Sequence, residues 1–109
     1  FWFYPREYND QAAYDASLGG GGRGNSGPGT FPSTPGVRSM AFLTAAGYAV
    51  IEPDAPIFAS EGRLPNDNYV VDLRNDLAAT IDALDTLGII DRHRLGIGGH
   101  SYGAFSAVN

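Results

Sequence analysis

Ser101 lies between two glycines in Gly99-His100-Ser101-Tyr102-Gly103, and this spacing suits a serine that acts as a nucleophile. A hydroxyl is presented for attack on a carbonyl when its backbone is held in a sharp strand-to-helix turn. Glycines two residues before and after let strand and helix pass without Cβ clashes. The chemistry such a turn supports is acyl transfer: attack by Ser101 Oγ, an acyl-enzyme, then hydrolysis. A base, an orienting acid and an oxyanion hole are also required. In this kind of turn the amide of the residue after the serine is one oxyanion donor, which assigns that role to the Tyr102 N–H.

The chain has two histidines, His93 and His100. His100 adjoins the nucleophile, and adjacency in the turn aims it elsewhere. His93 lies in the turn ahead of the strand, at its amino edge. Neither is expected to be the base. In this architecture the acid and the histidine follow the serine in chain order, so both are expected beyond Asn109. Two histidines without E-x-x-H spacing, and no cysteine, give no metal site, and no cofactor is expected.

Fifteen glycines in 109 residues make the pentapeptide weak by itself, so its flanks carry the assignment. In Asn68–Leu87 the apolar residues Val70, Leu73, Leu77, Ile81 and Leu84 recur at three and four, while Asp72, Asp76 and Asp82 fall elsewhere. This is an amphipathic helix. Asp67 or Asn68 is placed to cap its first amides, and Gly88 followed by Ile89 suits a left-handed stop. Asp91–Arg94 turn the chain into an apolar strand, Leu95–Gly98, that leads directly to the elbow. Helix, turn, strand and G-x-S-x-G come in the order the elbow demands.

Upstream, Phe1–Tyr4 reads as a short aromatic strand closed by Pro5. Residues 15–30 contain Gly19-Gly20-Gly21-Gly22-Arg23-Gly24, which cannot bury enough apolar surface to order itself and is expected to be a flexible loop. G-x-G-x-x-G occurs there twice, but prolines 28, 32 and 35 follow instead of a helix start, so phosphate binding is not supported. Thr34-Pro35 opens a second helix through Met40, Leu43 and Ala46 that Gly47 stops. Tyr48–Ile51 is expected to be a buried strand, and residues 54–66 a loop at its carboxyl end, the edge that carries the site in open α/β sheets. Glu61 and Arg63 in that loop are candidates for substrate contact.

The alternation of strands and helices predicts an α/β protein with a parallel sheet, of the α/β-hydrolase type. Residues 1–109 are too few for that whole domain, which commonly exceeds about 200 residues. They are expected to form the N-terminal half of it and to be inactive alone. A net charge of −5 with no lysine argues against a nucleic-acid partner. No apolar run approaches the roughly 18 residues of a membrane span, so no membrane partner is expected.

Phe3-Tyr4-Pro5-Arg6-Glu7-Tyr8, Gly47-Tyr48-Ala49-Val50, Asn66-Asp67 with Tyr69-Val70, and Gly88-Ile89-Ile90-Asp91 with Arg94-Leu95 leading to Gly98–Phe105 together resemble one family. They look like the catalytic domain of prolyl oligopeptidase-family serine peptidases, nearest the glutamyl endopeptidase-like branch. The glycine tract and the segment Ile57–Arg63 depart from that pattern. The resemblance implies a serine peptidase acting on peptide substrates, commonly with a β-propeller ahead of this domain. It also implies that a tyrosine hydroxyl near the end of an early strand is the second oxyanion donor. Tyr4 is the best-placed match and Tyr8 the other candidate. Two further readings remain: a serine carboxylesterase or lipase on the same fold, disfavoured by Tyr4-Pro5-Arg6 where a His-Gly-Gly run is common, and a non-catalytic binding protein.

Overall fold

Pro5 has no N–H to donate, and it divides the first extended segment into two short strands. These are β1 (Trp2–Phe3) and β2 (Arg6–Tyr8). The computed structural model describes residues 1–19, 40–59 and 62–109. In chain order β2 is followed by α1 (Gln11–Gly19), a 3₁₀ turn (Ala41–Ala46), β3 (Pro56–Phe58), a second 3₁₀ turn (Pro65–Asp67), α2 (Tyr69–Thr86), β4 (Gly98–Gly99) and α3 (Tyr102–Ala107). The protein is thus a mixture of helices and short strands.

Both strand pairings are parallel. Trp2 lies opposite Gly98 and Phe3 opposite Gly99, while Arg6, Glu7 and Tyr8 face Pro56, Ile57 and Phe58. The carbonyl and the N–H of the Phe1–Trp2 peptide point opposite ways. Phe1 O accepts from Gly98 N–H at 2.9 Å, and Trp2 N–H donates to Ile51 O at 2.8 Å. Further along, Arg6 N–H reaches Ala55 O at 3.1 Å. Residues 1–8 therefore run between the elbow strand on one side and residues 51–58 on the other. The elbow is built against the middle segment of a parallel layer.

One face of that layer carries the core. Phe3, Ala55, Ile57, Tyr69 and Leu73 are buried together, with Leu77 and Tyr102 packed against them. Ala55 and Ile57 alternate inward, as a strand's period of two requires. Helix α2 covers this face through Tyr69, Leu73 and Leu77, spaced by four. Val70, expected on the buried stripe, is instead exposed. The buried arc starts one residue earlier, on an aromatic.

The stop at Gly88 matches its reading from sequence. Gly88 adopts a left-handed φ of 69°. Its N–H donates to Asp85 O at 2.9 Å, and Ile89 N–H donates to Leu84 O at 3.0 Å, the paired bonds of a Schellman ending. At the other end neither Asp67 nor Asn68 caps with its side chain. Asn68 is the N-cap without a side-chain bond. The Asp67 carboxylate turns back to accept from Leu64 N–H at 3.1 Å.

Other expectations are corrected. Tyr48–Ile51 is no strand, and Tyr48 is exposed. The ladder forms further on, at Pro56–Phe58, inside the expected loop, with Pro53, which has no N–H to donate, between it and the expected strand. The elbow strand narrows to Gly98–Gly99, with Leu95 and Ile97 exposed ahead of it. Ala41–Ala46 is a 3₁₀ turn in place of an α-helix, ended by Gly47 as expected. Helix α1 continues through Gly19 and so occupies the start of the 15–30 segment. The rest of that segment, Thr34-Pro35 and Glu61 lie outside the described residues.

Candidate active site

The strand β4 ends at Gly99 and α3 begins at Tyr102, leaving two residues to reverse the chain. Ser101 carries the strain of that reversal. Its φ is 54° and ψ −115°, and among the described residues it is the one non-glycine with positive φ. Such a conformation costs about 1–3 kcal/mol and persists only where the surroundings over-determine it. The surroundings here are backbone. A Cβ on Gly99 would stand 2.5 Å from Gly103 C and 2.6 Å from Phe3 O, and one on Gly103 would be closer still to Phe3 O. The two glycines let β1, β4 and α3 approach to a separation no side chain would permit.

Ser101 is exposed, and none of the described side chains hydrogen-bonds to its hydroxyl. His100 and His93 are also exposed. The turn at 91–94 is organised by Asp91, whose carboxylate accepts from His93 N–H at 2.9 Å and whose carbonyl accepts from Arg94 N–H at 2.9 Å. Arg92 ties that turn to α2 through Asp82 at 3.0 Å and Asp85 at 3.4 Å, exposed pairs that contribute little stability. Arg63 reaches Asn68 Oδ1 at 3.4 Å, at the start of α2.

Helix α3 is anchored through two hydroxyls. Ser106 Oγ, buried, donates to Tyr102 O at 2.5 Å and so accepts from Tyr69 OH. The Tyr102 ring packs in a three-ring cluster with Tyr69 at 5.4 Å and Phe105 at 6.1 Å, those two being 6.2 Å apart. Tyr4 meets it edge-on, 6.1 Å between centroids and 74° between planes. At the far end of the ring, Tyr102 OH donates to Glu7 Oε1 at 2.8 Å, with Asn66 Oδ1 at 3.4 Å. Burial, and then the carboxylate of Glu7, push the Tyr102 phenol well above the ordinary range, so it stays protonated.

Tyr4 and Tyr8 are separated by their neighbours. Tyr8 packs edge-on to Tyr14 at 5.3 Å and lies 6.2 Å from Phe58, in a cluster that seats α1. Tyr14 OH donates to Asp54 Oδ2 at 2.8 Å, and that bond, with burial, raises its pKa to about 12. Tyr4 is half exposed beside Tyr102, and its hydroxyl makes no hydrogen bond among the described residues. Tyr4, Pro5, Arg6, Glu7, Tyr8 and Tyr102 line an open cleft of about 470 Å³. Sequence reasoning assigned no role to Glu7, Asn66 or Ser106. Tyr69 alone left a signal, its spacing of four from Leu73.

Among the described residues no three His, Cys, Asp or Glu side chains are grouped to hold a metal ion. No helix among them is long and apolar enough to cross a membrane.

The chain is 30% identical to a probable chloroplastic glutamyl endopeptidase of Arabidopsis thaliana over 110 residues, covering 100% of this chain and 11% of that protein. It is 30% identical to the probable chloroplastic glutamyl endopeptidase of Oryza sativa subsp. japonica over 109 residues, covering 99% of this chain and 11% of that one. No family model matches the chain, and no solved structure does. The chain therefore spans about a ninth of the length of these curated relatives and has a distant, partial relation to that plant peptidase.

Proposed function

We propose that the chain carries the nucleophile and oxyanion hole of a serine peptidase, on part of an α/β-hydrolase domain related to the prolyl oligopeptidase family. The observation that carries this reading is Ser101, held at φ 54° between two glycines that a side chain could not replace. The parallel layer beneath it, with residues 1–8 beside the elbow strand, supports the fold assignment. The names of the plant relatives support hydrolysis of peptide bonds.

In this reading Ser101 Oγ attacks the scissile carbonyl carbon as a base supplied by the rest of the protein takes its proton. The negative charge that develops on the carbonyl oxygen is met by the Tyr102 N–H and the Tyr4 hydroxyl, which is free to turn towards it. The C–N bond then breaks and the amine leaves with the proton. Water hydrolyses the resulting ester and restores the serine. Arg6 lines the cleft and makes no ion pair among the described residues. It is the group here that would attract an acidic substrate side chain, in keeping with the glutamyl preference in the relatives' names.

The full-length protein tests this directly. A fluorophosphonate probe is expected to label Ser101, and Ser101→Ala to cut kcat on a peptide amide by several powers of ten with the fold intact. Label on another residue of the active enzyme would overturn the assignment. Turnover of a short-chain ester without any turnover of the amide would replace the peptidase with an esterase.

A further inference from the structure

Tyr102 is joined to Ser101 by the peptide bond whose N–H is the proposed oxyanion donor. The direction of that N–H follows from where the Tyr102 Cα is held. The ring is packed against Tyr69 and Phe105, which are 6.2 Å from each other, and against Tyr4 at 74° to its plane. Stacking leaves a ring free to slide in its own plane. The bond from Tyr102 OH to Glu7 Oε1 at 2.8 Å removes that freedom. A phenol has one hydrogen to donate, and the 3.4 Å to Asn66 Oδ1 makes Glu7 the principal acceptor.

Glu7 is well placed to serve as a fixed point. It is the central residue of β2, in register with Ile57, which is fully buried. A charged acceptor also forms a shorter and stronger bond than a neutral one. The raised pKa of the phenol keeps the donor hydrogen in place across the working range of a hydrolase.

We propose that Glu7 is a positioning residue for the oxyanion hole, holding the Tyr102 ring by its hydroxyl and so fixing the direction of the Tyr102 amide beside Ser101. This rests on the peptidase reading above. Glu7 itself touches no reacting atom; it acts through Tyr102.

The experiment uses the full-length protein, with active sites counted by fluorophosphonate titration so that kcat is expressed per competent serine. Glu7→Ala is expected to lower kcat per site on a peptide amide about tenfold with KM within about twofold, the pattern of an interaction realised in the transition state. Glu7→Gln keeps an acceptor oxygen and is expected to recover most of the loss. Tyr102→Phe should match Glu7→Ala, and the double variant should be no worse than either single, because both remove one bond. Unchanged kcat per site in Glu7→Ala, with only fewer titratable sites, would reduce the bond to a structural one and overturn the proposal. Fully additive losses in the double variant would overturn it too. If Glu7→Ala does not fold, Glu7→Gln and Tyr102→Phe carry the same comparison. Failure of the wild type to take label at Ser101 would instead defeat the peptidase reading, and this proposal with it.

Discussion

The carbonyl oxygen of Phe3 occupies the place where a side chain on Gly103 would begin. Strand β1 and helix α3 meet there backbone to backbone, and this contact holds the elbow against the sheet. Gly103→Ala is therefore expected to destabilise by at least the 1–3 kcal/mol typical of overpacking, since backbone on both sides has no rotamer to yield. Gly99→Ala should act similarly, with Gly103 and Phe3 O in its way. A control at Gly96, where a Cβ meets nothing within 4 Å, should change the melting temperature little. Thermal melts of the three full-length variants check the ranking.

Tyr4 has a half-exposed ring and a hydroxyl with no partner among the described residues. If that hydroxyl meets the oxyanion, Tyr4→Phe lowers kcat about 10² to 10³-fold with little change in KM. Tyr8→Phe should leave kcat near wild type, because its ring is committed to Tyr14 and Phe58. Steady-state kinetics on one peptide amide distinguish the two, and a reversed order would move the role to Tyr8.

Arg6→Gln is expected to raise KM for peptides cleaved after glutamate about tenfold or more, and to leave peptides cleaved after neutral residues unchanged. Equal effects on both substrates would show that the guanidinium does not read the side chain.

Asp76 is expected to make stability depend on pH. One of its carboxylate oxygens is buried with no hydrogen-bond partner among the described residues. Burial first, then the charges of Asp72 and Asp54, raise its pKa from 3.8 to about 6. A raised carboxylate pKa means that the folded state binds the proton more tightly than the unfolded one. Its contribution is favourable below about pH 4 and is lost as pH rises through 6. Asp76→Asn should raise the melting temperature at pH 7.5, and the gain should shrink towards zero at pH 4. A gain independent of pH would assign the effect to packing.

The elbow and the helix before it were legible in the sequence because each is a local arrangement. G-x-S-x-G encodes its own turn, and Ser101 at φ 54° confirms the strain that the two glycines announced. The three- and four-residue spacing of Leu73, Leu77, Ile81 and Leu84 marked a helix that runs over 69–86, and Gly88 marked its stop. The strands were less legible. A proline removes one donor, and whether a ladder needs that donor depends on register with a neighbour elsewhere in the chain. Pro5 therefore read as the end of a strand that resumes at Arg6, and Pro53 and Pro56 disguised β3 as loop.

The chemistry divides in the same way. Sequence alone located the proposed nucleophile Ser101 and the Tyr102 amide that follows it, since both lie within one turn of chain. It left Tyr4 and Tyr8 open, because residues four apart on an extended segment share the same phase of a two-residue period. Tertiary structure separated them by placing α3 beside Tyr4 and α1 beside Tyr8. It also brought Glu7 to Tyr102 across 95 residues and Tyr69 to Ser106 across 37. No local pattern encodes such bonds, because they form only when the parallel pairing of residues 1–8 with 51–58 and 98–99 has set the position of every element above the sheet.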